Sequence, residues 1–242
     1  MKQWFKSWFD SPFYHILYKE RDINEAKHFI DQLVNKLKIK SNDKILDLAC
    51  GSGRHSIYLN ELGFDVCGLD LSTKSIDLAN QSKQSNLEFF VHDMRKPFRI
   101  NYFDYVFNFF TSFGYFEKQS DNINTFKNIH SNLKEGGIFV IDYFNAHYVE
   151  QNFKSEETIV KNDISFKIKR FIENNKIIKT IQFEKNGENF DFIEKVSLFK
   201  IIDFQNLADV SGLKMVATYG SYDLEDYDEN NSLRLIIIFK KN

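Results

Sequence analysis

The sequence predicts an α/β fold: a parallel sheet covered by helices on both faces, with an antiparallel β meander inserted late in the chain. Three observations carry this. Short apolar runs alternate with helix-period segments from residue 22 to about residue 150, the pattern of βαβ units. The period then falls to two between residues 154 and 200, as in half-buried antiparallel strands. The first apolar run, "KILDLA", enters a glycine turn, "CGSGRHS", that opens a helix.

The elements follow in order. Residues 22 to 38 place Ala26, Phe29, Ile30, Leu33, Val34 and Leu37 at the spacing of one helix face. Asp22 with Glu25 fits a capping box. "KILDLA" reads as a buried strand, and residues 54 to 62 as a helix ending before Gly63. "FDVCGLD" is a second strand, followed by a helix from the N-cap Ser72. "LEFFVHD" and "YFDYVFNFF" are the third and fourth strands. Residues 118 to 133 are helical, with Ile123, Phe126, Ile129 and Leu133 on one side, and "EGGIFVIDYFN" is a turn and the fifth strand. The meander comprises "ISFKIKRFI", "KIIKTIQFEK" and "NFDFIEKVSLFKI", joined at "ENNK" and "NGE"; Asn-Gly between alternating runs is a hairpin signal. Residues 203 to 211 form a helix ended by Gly212, and "LKMVATYG" and "SLRLIIIFKK" are the last two strands. Residues 1–153 and 201–242 thus form one domain, with 154–200 inserted as a β subdomain.

Composition narrows the function classes. The 242 residues carry a formal charge of −2, which does not favour a polyanion partner, so no nucleic acid is expected. Hydrophobic residues make up 43%, with 26 Phe, enough for a sizeable core. Cys50 and Cys67 make neither a disulfide framework nor a zinc pattern, so they read as reduced thiols. No stretch approaches ~18 uncharged apolar residues, and the N-terminus lacks the unbroken apolar core of a signal peptide. The expectation is a cytoplasmic protein without a membrane span.

A glycine turn after a strand can hold a dinucleotide, a nucleoside triphosphate or S-adenosylmethionine (SAM). Gly51 and Gly53 allow a tight turn and close approach to a ligand, and the helix from Arg54 offers free N–H groups to an anion. A triphosphate loop needs a lysine that is missing here. A dinucleotide loop wants a third glycine where this chain has Ser56. Asp70 ends the second strand, where a carboxylate accepts bonds from both ribose hydroxyls of an adenosine. Asp47 lies just before the turn, suited to an ammonium and hostile to a pyrophosphate. At the end of the third strand, Asp93 can accept from an adenine amino group, and the Met94 N–H can donate to a ring nitrogen.

"LDLACGSGRHS", "GLDLS", "VHDM" and "GGIFVIDYFN", in this order and spacing, resemble the successive motifs of class I SAM-dependent methyltransferases. The resemblance spans residues 22 to 150 and the final strand pair. It implies a seven-stranded, mostly parallel sheet whose last strand is antiparallel, and SAM as cofactor with no metal. By it, Asp47, Ala49, Cys50, Gly51 and Gly53 surround the methionine end, and Asp70 and Leu71 the ribose. Asp93 and Met94 take the adenine; Asn108, at the end of the fourth strand, holds the SAM ammonium or the acceptor, and Phe110 is a further cofactor contact. Small-molecule members of the class, such as sugar N,N-dimethyltransferases and glycine N-methyltransferase-like enzymes, are the closest in kind. "FYHILYKERDINEA" is similar to their segment that folds over SAM. It implies that Tyr14, Tyr18 and Arg21 contact the methionine end; helix packing is the alternative for the tyrosines. "NFFTSFGYF" is similar to their loop beside the sulfonium. The meander corresponds to their substrate roof, which often also mediates homodimers.

Methyl transfer from a sulfonium is an in-line displacement, so orientation and exclusion of water carry much of the rate. A base is needed only for a nucleophile that is protonated at working pH. His147, after the fifth strand, is the best general-base candidate, and Tyr115 is a second catalytic candidate. Phe113, Tyr115, Phe116, Tyr143 and Asn145 are the candidate substrate residues, and their aromatic rings suit a cationic or planar acceptor. "NFFT" is unlike the motif of enzymes that methylate flipped nucleobases. His55 faces the acceptor or caps its helix, and His130 packs on an apolar face. The acidic run from Asp223 to Glu229 reads as a solvated loop, and Arg234 as a carboxylate anchor or a surface pair. The resulting expectation is methyl transfer to N or O of a small molecule. The alternatives are a protein or RNA methyltransferase, or a non-catalytic binder of SAM or S-adenosylhomocysteine (SAH).

Overall fold

The computed structural model describes residues 4–18 and 23–242. Two short helices, α1 (Trp4–Phe9) and α2 (Pro12–Leu17), precede α3 (Ile23–Leu37). Ser11 caps α2 by accepting from the Phe13 N–H, with Pro12 at the first helical position, where a missing N–H costs nothing. The buried face of α3 is Ala26, Phe29, Ile30 and Leu33. The expected cap at Asp22 lies outside the described residues.

From there strands and helices alternate: β1 (Lys44–Leu48), α4 (Arg54–Glu61), β2 (Asp65–Asp70), α5 (Thr73–Ala79), β3 (Leu87–Val91), β4 (Phe103–Asn108), α6 (Gln119–Asn132), β5 (Leu133–Phe144) and α7 (Ala146–Asn152). After the insertion come α8 (Ile201–Asp209), β10 (Leu213–Tyr219) and β11 (Arg234–Lys241). The main sheet has seven strands in the order β10-β11-β5-β4-β1-β2-β3. β1 to β5 pair in parallel, and β11 is antiparallel to both β5 and β10. This is the expected mixed sheet. Strand order reverses between β1 and β4, where the carboxyl ends splay and leave a crevice.

The sheet is buried on both faces, which is why "LIIIF" in β11 is an unbroken apolar run. Leu235, Ile237 and Phe239 face one cluster with Leu46, Phe126 and Phe139. Ile236 and Ile238 face the other, with Phe29, Ile45 and Phe107. Each such side chain contributes about 1.5–3 kcal/mol on burial.

The insertion is a four-stranded antiparallel sheet: β6 (Glu156–Lys161), β7 (Ile164–Glu173), β8 (Lys176–Lys185) and β9 (Glu188–Ser197). Its three hairpin turns, Asn162-Asp163, Asn174-Asn175 and Asn186-Gly187, all have positive φ at both residues, matching the twist of the flanking strands. β6 escaped the sequence reading for a physical reason. Its inward positions are Glu157, Ile159 and Lys161, while Val160 points out, so no apolar alternation marks it. The apolar face of this sheet, with Phe166, Ile168, Ile181 and Phe183, is covered by Trp8 and Leu17. Phe5, one turn before Trp8, belongs to the core of the main sheet. The helices α1 and α2 therefore form a strap from one sheet to the other. Among the described residues, no helix is long and apolar enough to cross a membrane.

Candidate functional site

A cavity of about 410 Å³ lies at the carboxyl ends of β1, β2, β3 and β4, within the ~300–1,000 Å³ typical of small-molecule clefts. Its floor is the glycine turn. Ala49, Gly51 and Gly53 all have positive φ, at 63°, 56° and 82°. A Cβ on Gly51 would meet nothing within 4 Å, so its backbone is open to a ligand; one on Gly53 would come within 2.7 Å of the Phe89 ring. Gly53 therefore serves the packing of α4 on the sheet, and Gly51 serves the cavity.

Asp70 holds the turn. Its Oδ2 accepts from the Gly51 N–H and its Oδ1 from the Ser72 N–H, both at 2.8 Å. Burial raises its pKa, opposed by those two N–H groups. A carboxylate offers about four acceptor positions, so two remain for the hydroxyls of a ribose. The open backbone at Gly51 and this half-used carboxylate fit an adenosine-bearing cofactor. Leu71, Met94 and Cys50 also line the cavity, as does Asp93. Asp93 is already paired, accepting from Arg95 at 2.6 Å; burial alone would raise its pKa, but the Arg95 guanidinium holds it below the usual range.

The wall after β4 is made by Phe109, Phe110, Ser112, Tyr115 and Phe116. Phe110 and Thr111 are both left-handed, at φ 56° and 58°. The strap closes the cavity with Trp4, Phe9, Tyr14, His15 and Tyr18, and β9 contributes Glu194 and Val196. Glu194 accepts from the Trp8 Nε1–H and the Tyr18 hydroxyl, each at 2.7 Å. Lys179 pairs with Glu194 at 3.6 Å and also donates to the Tyr18 oxygen.

Of the residues expected at the site, Tyr14, Tyr18, Ala49, Cys50, Gly51, Asp70, Leu71, Asp93, Met94, Phe110, Tyr115 and Phe116 line this cavity. Arg21 lies outside the described residues. The others are placed elsewhere. Asp47 is sealed beneath the turn, accepting from the Ser56 hydroxyl at 2.6 Å, so it does not reach an ammonium in the cavity. Asn108 is also buried and clamps β4 to β1 through the Leu48 carbonyl. Phe113 packs in the aromatic core against Phe126, Phe199 and Phe204. Tyr143 is fully buried and donates to the Ser197 carbonyl at 2.6 Å. Asn145 caps α7 and ties down the Glu229 and Ser232 carbonyls. His147 sits in the first turn of α7 beside Gln151, away from the cavity, so it loses the base role. Tyr115 lines the cavity, but its hydroxyl donates to the Thr111 carbonyl.

Arg234 is neither an anchor nor a surface pair. It pairs with the fully buried Asp142 at 2.6 Å, its own side chain being largely buried. Burial opposes its charge and Asp142 more than offsets it. The acidic loop does not line the cavity; Asp223 pairs with His28 on α3 at 2.7 Å. The sequence reading missed Asp142, Glu194, Trp4 and Phe9. Period-two alternation could have put Glu194 and Val196 on one face of β9. Nothing local marks Asp142, which sits among apolar neighbours in β5.

The sealed Asp47 has a measurable consequence. Burial pushes its pKa up to about 7, with the Ser56 bond opposing. The folded state thus holds a proton that the unfolded chain, with a carboxylate pKa near ~3.9, has released. Stability from this group is complete below about pH 4 and is lost as pH rises through 7. Asp47→Asn, which keeps the acceptor for Ser56, should raise Tm most above pH 7. The gain should shrink on acidification and vanish below about pH 4 in thermal melts across pH.

A family described as "Methyltransferase domain" matches residues 39–193, more than half of the chain and including the whole cavity floor. The chain belongs to the class I SAM-dependent methyltransferases. Glycine/sarcosine N-methyltransferase of Aphanothece halophytica is 33% identical over 144 residues, 57% of this chain and 53% of its own length. The chain spans about half the length of the curated relatives it matches. A SAM-dependent methyltransferase of Clostridium acetobutylicum superposes with a TM-score of 0.79 at 18% identity, over 94% of this chain and 95% of its own. The sugar N-methyltransferase KedS8 of Streptoalloteichus gives 0.73 at 16% identity, over 95% and 92%. These likenesses to solved structures establish the fold.

Proposed function

We propose that this methyltransferase moves the methyl group of SAM to a nitrogen or oxygen of a small-molecule acceptor. The observation that carries this is a cleft, partly open to solvent, walled on three sides: a glycine turn with Asp70 as floor, an aromatic strap, and Glu194 with Val196 as roof. SAM, when bound, supplies a methyl on a sulfonium that is a good leaving group. Asp70 would hold the ribose hydroxyls with Leu71 beside them, Met94 the adenine, and Gly51 with Arg54 the amino-acid end. The rings of Trp4, Phe9, Tyr14 and Tyr115 line and narrow the cleft, which favours a small acceptor over a polynucleotide or a folded protein. Residues 154–200 act as the substrate roof, since β9 faces the cavity with one carboxylate and one apolar side chain. Relatives named for glycine, sarcosine and sugar amines support a small acceptor.

The test is transfer from radiolabelled SAM to matched small amines and alcohols, with total RNA and whole-cell protein as competitors. Label should appear in the small-molecule fraction. Label confined to RNA or protein would replace this reading with a macromolecular one, and SAH binding without any transfer would leave a binder only.

A further inference from the structure

We propose that Asp142, Arg234 and Tyr222 form a positioning unit that fixes Phe110 as the wall against the amino-acid end of the cofactor; this rests on the cofactor reading above. None of the three side chains lines the cavity, whereas Phe110 does.

The backbone shows why such a unit is needed. Phe110 and Thr111 are consecutive left-handed residues, and neither is glycine. Their Cβ atoms make that conformation unfavourable, so it persists only where surrounding structure over-determines it. The surroundings do so. The Phe110 N–H donates to Asp142 Oδ2 and the Thr111 N–H to the Asp142 carbonyl, both at 2.9 Å. Thr111 Oγ1 accepts from the Phe144 N–H at 3.1 Å and from Arg234 Nη2 at 3.2 Å. Arg234 Nε donates to Asp142 Oδ1 at 2.7 Å, and the Tyr222 hydroxyl donates to Asp142 Oδ2 at 3.1 Å. One carboxylate therefore sets the kink, and two neighbours hold that carboxylate.

The kink sets the wall. The Phe110 ring lies 4.7 Å from the Arg54 guanidinium and 5.4 Å from the His55 ring. Arg54 and His55 form the first turn of α4, directly after the glycine turn. That end of the cavity combines a guanidinium, a helix N-terminus and an aromatic face, which suits the carboxylate of an amino acid. Tyr222 is delivered by the loop between β10 and β11. Its ring packs against Phe29 in a tilted arrangement, centroids 4.5 Å apart, and its neighbour Asp223 pairs with His28. The loop thus acts on the cofactor site without touching it.

Two ligands separate positioning from general structural support. SAH carries the amino-acid end; 5′-methylthioadenosine has the same adenosine and sulfur without it. Titration calorimetry would compare both on the wild type, Tyr222→Phe and Thr111→Val, with circular dichroism and Tm as checks of folding. Tyr222→Phe keeps the ring and removes one donor to Asp142. It should weaken SAH about 3–10-fold and leave methylthioadenosine within about twofold. Thr111→Val, which removes the acceptor shared by Phe144 and Arg234, should show the same split with a larger SAH loss. Equal losses for both ligands, or none for either, would overturn the inference alone. A wild type that binds neither compound would overturn the cofactor reading, and this inference with it.

Discussion

Asp70→Ala should lower the affinity for SAH at least about 30-fold, read by titration calorimetry on the folded protein. The loss has two sources. The carboxylate bonds that would hold the ribose hydroxyls disappear, and hydrogen bonds to a charged group are worth about 1.5–3 kcal/mol each. The Gly51 and Ser72 N–H groups, each 2.8 Å from this carboxylate, also lose their acceptor, so the turn relaxes. Asp70→Asn separates the two sources. It keeps one oxygen acceptor and puts an NH₂ donor opposite the other N–H, so it should fall between wild type and Asp70→Ala. An Asp70→Ala protein that binds SAH as tightly as wild type would remove Asp70 from the site.

Asp142→Ala should be the most destabilising single change in the site region, by about 3 kcal/mol, because it leaves the largely buried Arg234 guanidinium without its carboxylate. For a chain of this size that corresponds to a fall in Tm of about 6–12 °C. The cost comes from leaving one partner, and it does not measure the worth of the pair. Asp142→Leu with Arg234→Met removes both charges, and should recover more than half of the lost Tm. It should not restore SAH affinity, since the Phe110 N–H would still lack its acceptor at 2.9 Å. Chemical denaturation of the two variants beside wild type checks the stability arm, and calorimetry checks the binding arm. Equal Tm for the single and double variants would mean that the stranded charge is not what costs stability.

Much of the sheet was legible in the sequence because local rules and the tertiary fold agree there. The buried run "KILDL", the turn with Gly51 and the cap at Ser72 each have one reading in terms of local chemistry, and β1, the cavity floor and α5 follow them. β6 was not legible. "EETIVK" puts its one inward apolar side chain between Glu157 and Lys161, so its pairing with β7 rather than its pattern makes it a strand. The short helix α7 was missed for a similar reason: seven residues with a single fully buried side chain, Ala146, give no periodic signal.

Site residues divide along the same line. Asp70, Gly51, Leu71 and Met94 were readable because they stand at strand ends, where the chain direction alone aims them at the crevice. His147, Tyr143 and Asn145 stand just as near the end of β5. They are nevertheless taken by the Gln151 side chain, the Ser197 carbonyl and the loop carbonyls of Glu229 and Ser232. The partners of Tyr143 and Asn145 lie from 54 to 87 residues away, and no local pattern records whether they will arrive; Gln151 is one helical turn from His147, but α7 itself gave no signal.

The sequence by itself determined the parallel sheet, the glycine turn and the carboxylate at the end of β2, because strand period and turn sterics are local; the antiparallel last strand followed from the resemblance to the class I methyltransferases. Only the tertiary structure decided that Asp47 is sealed away while Asp70 faces the cavity. It also decided that Glu194 arrives from an inserted sheet, and that a largely buried Asp142–Arg234 pair bends the chain at Phe110. Each of these depends on which distant side chain occupies the space beside a residue, and packing settles that only when the whole chain has closed.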